Sequence, residues 1–288
     1  MEQFKLFINL TRLEKPIGYM LLFWPCSWGL TLAYDFSDNL KNYFLYLVLF
    51  LSGAVLMRSA GCIINDIVDR KFDKKVSRTK NRPIASGKVS VTQGIIYTLI
   101  LCSLAFLVLI NFNHFTIILA LSSMPLAFTY PLMKRYTYWP QFYLGVTFNY
   151  GLLLGWTSIF ANFSIEPIIL YLGAIFWTLG YDTIYGYQDI KDDEVIGIKS
   201  TSIKFKSNPH LFINFCYMIF FISLIILGLF MDFKLTYFVM ITLTILYYFY
   251  FSLFKLDIYK SNSCLNAFKS NNFLGLAILI ILIINKIA

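Results

Sequence analysis

Residues Gly61 to Lys88 read GCIINDIVDRKFDKKVSRTKNRPIASGK. The stretch leaves an apolar run and at once sets Asn65, Asp66, Asp69 and Asp73 within little more than two helical turns. In a helix, Asn65, Asp69 and Asp73 advance by only ~40° per step, so they share one face. Carboxylates crowded at one helix end repel one another unless something positive lies between them. Aligned oxygen ligands at the mouth of a membrane helix suit a hard divalent cation such as Mg²⁺, completed by substrate phosphates. A solvated acidic loop is the plain alternative.

The surroundings decide the fold class. The chain has 288 residues, of which 58% are hydrophobic and only 14% charged. Its mean hydropathy is +0.68. A soluble domain cannot hide so much apolar surface, whereas a bilayer can. Apolar runs recur over about 17–34, 42–64, 91–110, 115–133, 140–160, 167–187, 209–230, 235–254 and 271–286. The alternation of a transmembrane barrel is absent. The expected fold is all-α: a polytopic bundle of about nine transmembrane helices forming one integral-membrane domain over residues 1–288, with a cavity opening to the cytoplasm.

Orientation follows from charge. Of the 24 Lys and Arg, all but Lys41, Lys234, Lys286 and Arg58 fall in the polar segments of one side. The first three lie on the opposite side, and Arg58 lies inside the second span. The positive-inside rule places the N-terminus and the long loops in the cytoplasm and the C-terminus outside. The opening residues 1–20 read as an amphipathic lead-in with no small-residue cleavage site, not a signal peptide. A net charge of +9 does not imply nucleic acid, because the basic residues form no continuous stripe. The cysteines are scattered without a CxxC pair and read as small buried apolar residues. No protein partner is implied.

A second acidic cluster follows the sixth span, in LGYDTIYGYQDIKDDEVIGIKSTSIKF. Asp189 and Asp193 are one turn apart, Asp182 lies two turns earlier, and Asp192 is adjacent. Alone, such a run is usually a solvated turn. Two runs on the same side, each followed by basic residues, can face one another across a bundle and hold two cations. They also form a faint internal repeat. Arg58 lies two turns before Asn65 inside an apolar span, and an ionisable group there marks a functional site by default, snorkelling being the alternative. Asn149 and Tyr150 can line a cavity or join helices, and Pro125 and Pro131 predict a kink in the fourth span.

Two Mg²⁺ sites, a ring of Lys and Arg and an apolar cavity together suit a lipid diphosphate. Metal on the departing diphosphate stabilises its developing charge, while aromatic and apolar walls tolerate the allylic cation left behind and exclude water.

At this point a resemblance enters. NDIVDRKFD and DTIYGYQDIKDD resemble the two aspartate motifs of the UbiA superfamily of intramembrane prenyltransferases. Matching stretches at Thr11–Leu30, Arg78–Lys88, Tyr130–Gly145, Gly197–Phe205 and Cys264–Gly275 extend it nearly end to end. RLEKPIG and YPLMKRYTYWPQ narrow it to the branch that prenylates an aromatic ring in ubiquinone biosynthesis. Gly186, where relatives commonly carry Ala, is a small departure.

The resemblance implies Mg²⁺ held by Asn65, Asp69 and Asp73 and by Asp189 and Asp193, with Asp66, Asp182 and Asp192 as ligands or just behind them. It implies Lys134, Arg135 and Lys199 as neutralisers of the diphosphate. Arg58 would receive the carboxylate of 4-hydroxybenzoate, since Arg matches a carboxylate bidentately. The donor would be an all-trans polyprenyl diphosphate and the setting a bacterial inner membrane. Another aromatic or porphyrin acceptor is the alternative, and the proton-accepting base is left open.

Overall fold

The computed structural model describes residues 2–287. Those residues are helices and connections without a strand. In order the helices are α1 (Glu2–Thr11), α2 (Ile17–Ala33), α3 (Leu40–Asp73), α4 (Val91–Leu109), α5 (His114–Ser122), α6 (Met124–Thr129), α7 (Met133–Tyr136) and α8 (Pro140–Phe148). There follow α9 (Tyr150–Phe160), α10 (Ile165–Gly186), α11 (Ile190–Ile196), α12 (Thr201–Lys204), α13 (Pro209–Phe230), α14 (Leu235–Tyr248) and α15 (Ser261–Ile287).

Among the described residues, seven helical stretches are long and apolar enough to cross a bilayer. The expected count of nine is therefore not reached by length and composition alone. The first expected span is the 17-residue α2. The fifth is broken into α8 and α9 at Asn149. The fourth is interrupted too: α5, α6, a 3₁₀ turn at Tyr130–Leu132 and α7 follow one another. Pro125 and Pro131 sit at the starts of α6 and of that turn, where a missing N–H costs least.

The residues that make α3 matter most. Asn39 caps it, its side chain accepting from Lys41 N at 3.0 Å. The helix then runs without a break through the apolar span to Asp73. The acidic face of the opening motif is thus an extension of a membrane helix, not a loop. The loop beyond it ends at Ser90, which forms a reciprocal cap with Gln93 and starts α4.

Close backbone contacts fix the bundle. A Cβ on Gly29 would lie 1.9 Å from Leu152 O, and one on Gly155 would lie 2.3 Å from Cys26 O. Helices α2 and α9 therefore touch backbone to backbone, as small residues allow within membranes. Against α2 packs α15, with Trp28 Nε1 donating to Gly275 O at 3.0 Å. Asn271 of α15 is fully buried and its Oδ1 accepts from Trp177, Tyr217 and Tyr248 at 2.7, 2.9 and 3.0 Å. One amide thereby ties α10, α13, α14 and α15 together at a depth where water cannot satisfy it. Asn149 does the same at the α8–α9 break, its Nδ2 donating to Gly145 O, Ala174 O and Thr178 Oγ1. Its neighbour Tyr150 lines the central cavity and its hydroxyl also bonds Ser122 Oγ of α5 at 3.0 Å, so it realises both alternatives for this pair. Large apolar side chains such as Leu99, Ile118 and Leu243 stay exposed on the outside, the surface a bilayer covers.

Candidate active site

A cavity of about 1290 Å³ runs into the bundle. Its inner part is apolar, lined by residues such as Phe50, Met57, Phe106 and Leu144. Its mouth is polar. Asn65 and Asp66 reach it from α3, Arg78 and Arg82 from the following loop, and Asp189 and Asp193 from the end of α10 and from α11. A side pocket of about 110 Å³ adjoins, lined by Asn65, Tyr130, Lys134, Asp182, Asp193 and Lys199. The two acidic clusters, more than a hundred residues apart in sequence, share one opening.

Four carboxylates of the two clusters already have cationic partners; of these Asp66 and Asp189 line the cavity, whereas Asp69 and Asp73 line neither pocket. Asp66, 1% exposed, accepts from Arg12 Nη2 at 2.6 Å and from Arg82 Nη1 at 3.2 Å. Asp73 accepts from Arg82 Nη1 at 2.9 Å. Lys134 donates to Asp69, and Arg78 donates to both oxygens of Asp189. Buried ionised groups are costly unless paired in this way. These four carboxylates turn to cations, Asp66 and Asp73 sharing Arg82, and among the described residues no group of three His, Cys, Asp or Glu is placed to hold a metal ion by itself.

The donor set nevertheless fits a hard divalent ion. The oxygens are carboxylate and amide, and Asp69 Oδ1 is buried without a hydrogen-bond partner. Burial and the neighbouring charge of Asp189 push the Asp193 carboxyl up to about 6, the mark of an acid short of positive charge. Phosphate oxygens and water would complete the coordination.

The remaining expected residues are divided. Arg58 lines the cavity with its guanidinium 5.6 Å from the centre of the Phe148 ring. Its Nε is buried without a hydrogen bond, and it forms no ion pair among the described residues. Asp182 also lines the cavity and, among the described residues, neither accepts a hydrogen bond nor pairs within ion-pair distance. Lys199 lines the side pocket and donates to Tyr136 O at 3.3 Å. Arg135 lies off the cavity wall, donating to Val68 O at 2.8 Å near the end of α3. Asp192 is away from both pockets.

Three residues were not singled out by sequence reasoning: Arg12, Arg78 and Arg82. All three line the mouth. The signal was available, since they lie in the RLEKPIG and RTKNRPIASGK stretches. Arg12 sits just past α1 with φ 56°, in the left-handed region. A bulky residue is held in that region only at some cost, and the turn it makes carries the chain into α2 while its side chain meets Asp66. Gly186 also matters more than expected. An alanine Cβ there would lie 2.3 Å from Ser202 Oγ, which donates to Thr183 O at 2.8 Å.

A helical membrane bundle with an apolar cavity and a charged mouth is the architecture of an integral-membrane enzyme for a substrate with an ionic head and an apolar tail. Residues 22–277 match the profile of the UbiA prenyltransferase family, and the chain belongs to that family. It is 39% identical over 284 residues to a protein of Rattus norvegicus named 4-hydroxybenzoate polyprenyltransferase, mitochondrial, covering 98% of this chain and 75% of that one. The protein of the same name from Arabidopsis thaliana is 47% identical over 216 residues, covering 74% of this chain and 52% of that one. Among solved structures, a UbiA homolog from Aeropyrum pernix K1 superposes with a TM-score of 0.73 at 21% identity, covering 94% of this chain and 98% of that one. A homolog from Archaeoglobus fulgidus, bound to GPP and Mg²⁺, gives 0.71 at 19% identity, covering 96% and 99%. At that identity the likeness speaks for the fold.

One expectation is overturned. The curated relatives are mitochondrial enzymes of eukaryotes, which points to a mitochondrial membrane in place of the bacterial inner membrane. The charge pattern orients the helices relative to a membrane but carries no sign of which membrane it is.

Proposed function

We infer that the chain, acting as one integral-membrane domain over residues 1–288, transfers a polyprenyl group from a polyprenyl diphosphate to C3 of 4-hydroxybenzoate, ortho to the hydroxyl, as in ubiquinone biosynthesis. The products are 3-polyprenyl-4-hydroxybenzoate and diphosphate. The donor assignment is supported by the charged mouth above an apolar cavity. The acceptor assignment is carried by Arg58, a cation in the cavity that forms no ion pair among the described residues, its acidic electrostatic neighbour being Asp182. An unpaired guanidinium at that depth calls for an anionic ligand, and the carboxylate of 4-hydroxybenzoate matches its fork.

The residues divide the work by depth. Asn65, Asp69, Asp73, Asp189 and Asp193 are the proposed holders of Mg²⁺, with Asp66 behind them. When bound, Mg²⁺ neutralises the charge that builds on the departing diphosphate. Arg78, Arg82 and Lys134, which face the mouth, exchange carboxylate partners for phosphate oxygens when the donor arrives. Lys199 and Arg135 support this ring, Lys199 from the side pocket and Arg135 by anchoring α7 to Val68 O of α3. The prenyl chain lies in the apolar part of the cavity. Tyr130, Phe148 and Tyr181 surround the reacting carbons and exclude water from the allylic cation.

The test is incubation of membranes containing the protein with Mg²⁺, a polyprenyl diphosphate and 4-hydroxybenzoate, followed by product mass. The expected product is the prenylated acid. Prenylation of a different aromatic acceptor, with 4-hydroxybenzoate untouched, would overturn the acceptor assignment.

A further inference from the structure

We propose that Asp182 is the proton acceptor of the ring substitution. The proposal rests on the reading of the substrates given above. In the step, C3 of the ring bonds to the allylic carbon as the carbon–oxygen bond to diphosphate breaks. The ring carries the extra positive charge until the C3 proton passes to the Asp182 carboxylate and the electron pair restores aromaticity. Diphosphate leaves with the electrons of the broken bond, so no further reactant is required.

Depth selects Asp182. It lies on α10 one turn before that helix ends at Gly186, whereas Asp189 follows beyond that end at the start of α11, so Asp182 is set further into the bundle. Arg58 lies seven residues before Asn65 on α3, at the corresponding depth. The two acidic clusters therefore mark one level, where the diphosphate is held. Arg58 and Asp182 mark the level below it, where the first carbons of the donor meet the ring. Asp182 lines both the main cavity and the side pocket, so its carboxylate reaches this level from the wall.

Availability selects it again. Asp66, Asp69, Asp73 and Asp189 each accept from an Arg or Lys, and Asp193, which is unpaired too among the described residues, belongs to the acidic cluster at the diphosphate level. A carboxylate locked to a cation is a poor base. Asp182 has no hydrogen bond and no ion pair among the described residues, and its electrostatic neighbours are Arg58 and the phenols of Tyr130 and Tyr181. An unpaired carboxylate inside a membrane bundle is costly and is kept for a function. The chemistry of the step also needs a base next to aromatic walls, out of reach of bulk water.

Wild-type, Asp182→Asn and Asp182→Glu proteins would be assayed with 4-hydroxybenzoate and with the same acid deuterated at ring positions 3 and 5. Proton loss after carbon–carbon bond formation is fast in the wild type, so its isotope effect on kcat lies near unity. In D182N, kcat falls by about 100-fold or more, both KM values stay within a few-fold, and a primary isotope effect appears because proton loss has become limiting. D182E recovers part of the rate and lowers the isotope effect. A D182N protein with unchanged kcat would overturn the proposal, as would slow turnover without an isotope effect in either variant. A raised KM for 4-hydroxybenzoate with kcat held would make Asp182 a positioning residue for Arg58 and overturn it too. Failure of the wild type to prenylate 4-hydroxybenzoate removes the acceptor reading, and this proposal with it. Normal wild-type turnover beside an unimpaired D182N removes this proposal alone.

Discussion

The guanidinium of Arg78 forks onto the carboxylate of Asp189, with Nε on Oδ1 at 2.7 Å and Nη2 on Oδ2. Its third nitrogen donates to Tyr185 OH at 3.1 Å. This pair joins the loop after α3 to the end of α10, and so closes one acidic cluster onto the other. Burial opposes the Arg78 charge, but the bond to Asp189 and the nearness of Tyr185 hold its pKa above the ordinary guanidinium value. The Arg78 side chain is 41% exposed, so the pair contributes little to stability. Arg78→Ala should therefore leave the thermal midpoint nearly unchanged while raising the KM for the polyprenyl diphosphate. Lysine should restore only part of the loss, because a point charge cannot reproduce a fork. A lowered midpoint with normal kinetics would make the pair a structural clasp.

Metal dependence is tested from two directions. Asp69→Ala and Asp189→Ala should each abolish turnover in a protein that still inserts and folds, since neither side chain carries the helix packing. Chelation with EDTA should stop the wild type, and added Mg²⁺ should restore it. A binding measurement with Mg²⁺ and inorganic diphosphate should show the same loss in both variants. Full activity of either variant would remove that residue from the ligand set.

Arg58→Ala tests the acceptor site. Loss of a charge-assisted bidentate pair costs roughly 2–4 kcal/mol, or about 30- to 1000-fold in binding. The KM for 4-hydroxybenzoate should rise by such a factor and that for the donor should change little. Equal effects on both substrates would assign Arg58 to general electrostatics of the cavity.

Gly155→Val tests the α2–α9 contact. Its side chain would meet Cys26 O and the backbone of Gly29 and Leu30. No rotamer relieves a clash with backbone, so a loss of about 1–3 kcal/mol is expected, read as a lower thermal midpoint in detergent. An unchanged midpoint would mean the helices separate there at no cost.

Topology is tested by tags. If α2 and the α8–α9 pair cross beside the seven longer stretches, the two ends of the chain lie on opposite sides, and a reporter fused after residue 288 should read opposite to one before residue 1. Same-side readings would mean that α2 or the α8–α9 pair does not cross.

The sequence by itself determined the class. Hydropathy and the recurrence of apolar runs dictate a helical membrane bundle, because backbone polar groups in lipid must be satisfied within each segment. The spacing of Asn65, Asp69 and Asp73 was readable because helical periodicity is local, and α3 does continue to Asp73. Basic residues in the long loops gave the side of the site for the same reason. Partners were not readable, since they join residues far apart in the chain. That Asp66 meets Arg12, that Asp69 meets Lys134 and that Arg58 forms no ion pair among the described residues depends on how α1, α3, α7 and α10 come together. The breaks at Asn149 and Tyr130 were equally hidden, because an apolar run looks continuous whether or not its helix is. Only the tertiary structure decided which acids are occupied by cations and which, such as Asp182 and Asp193, are not, because charge pairing inside a bundle is set by packing geometry and not by the order of residues.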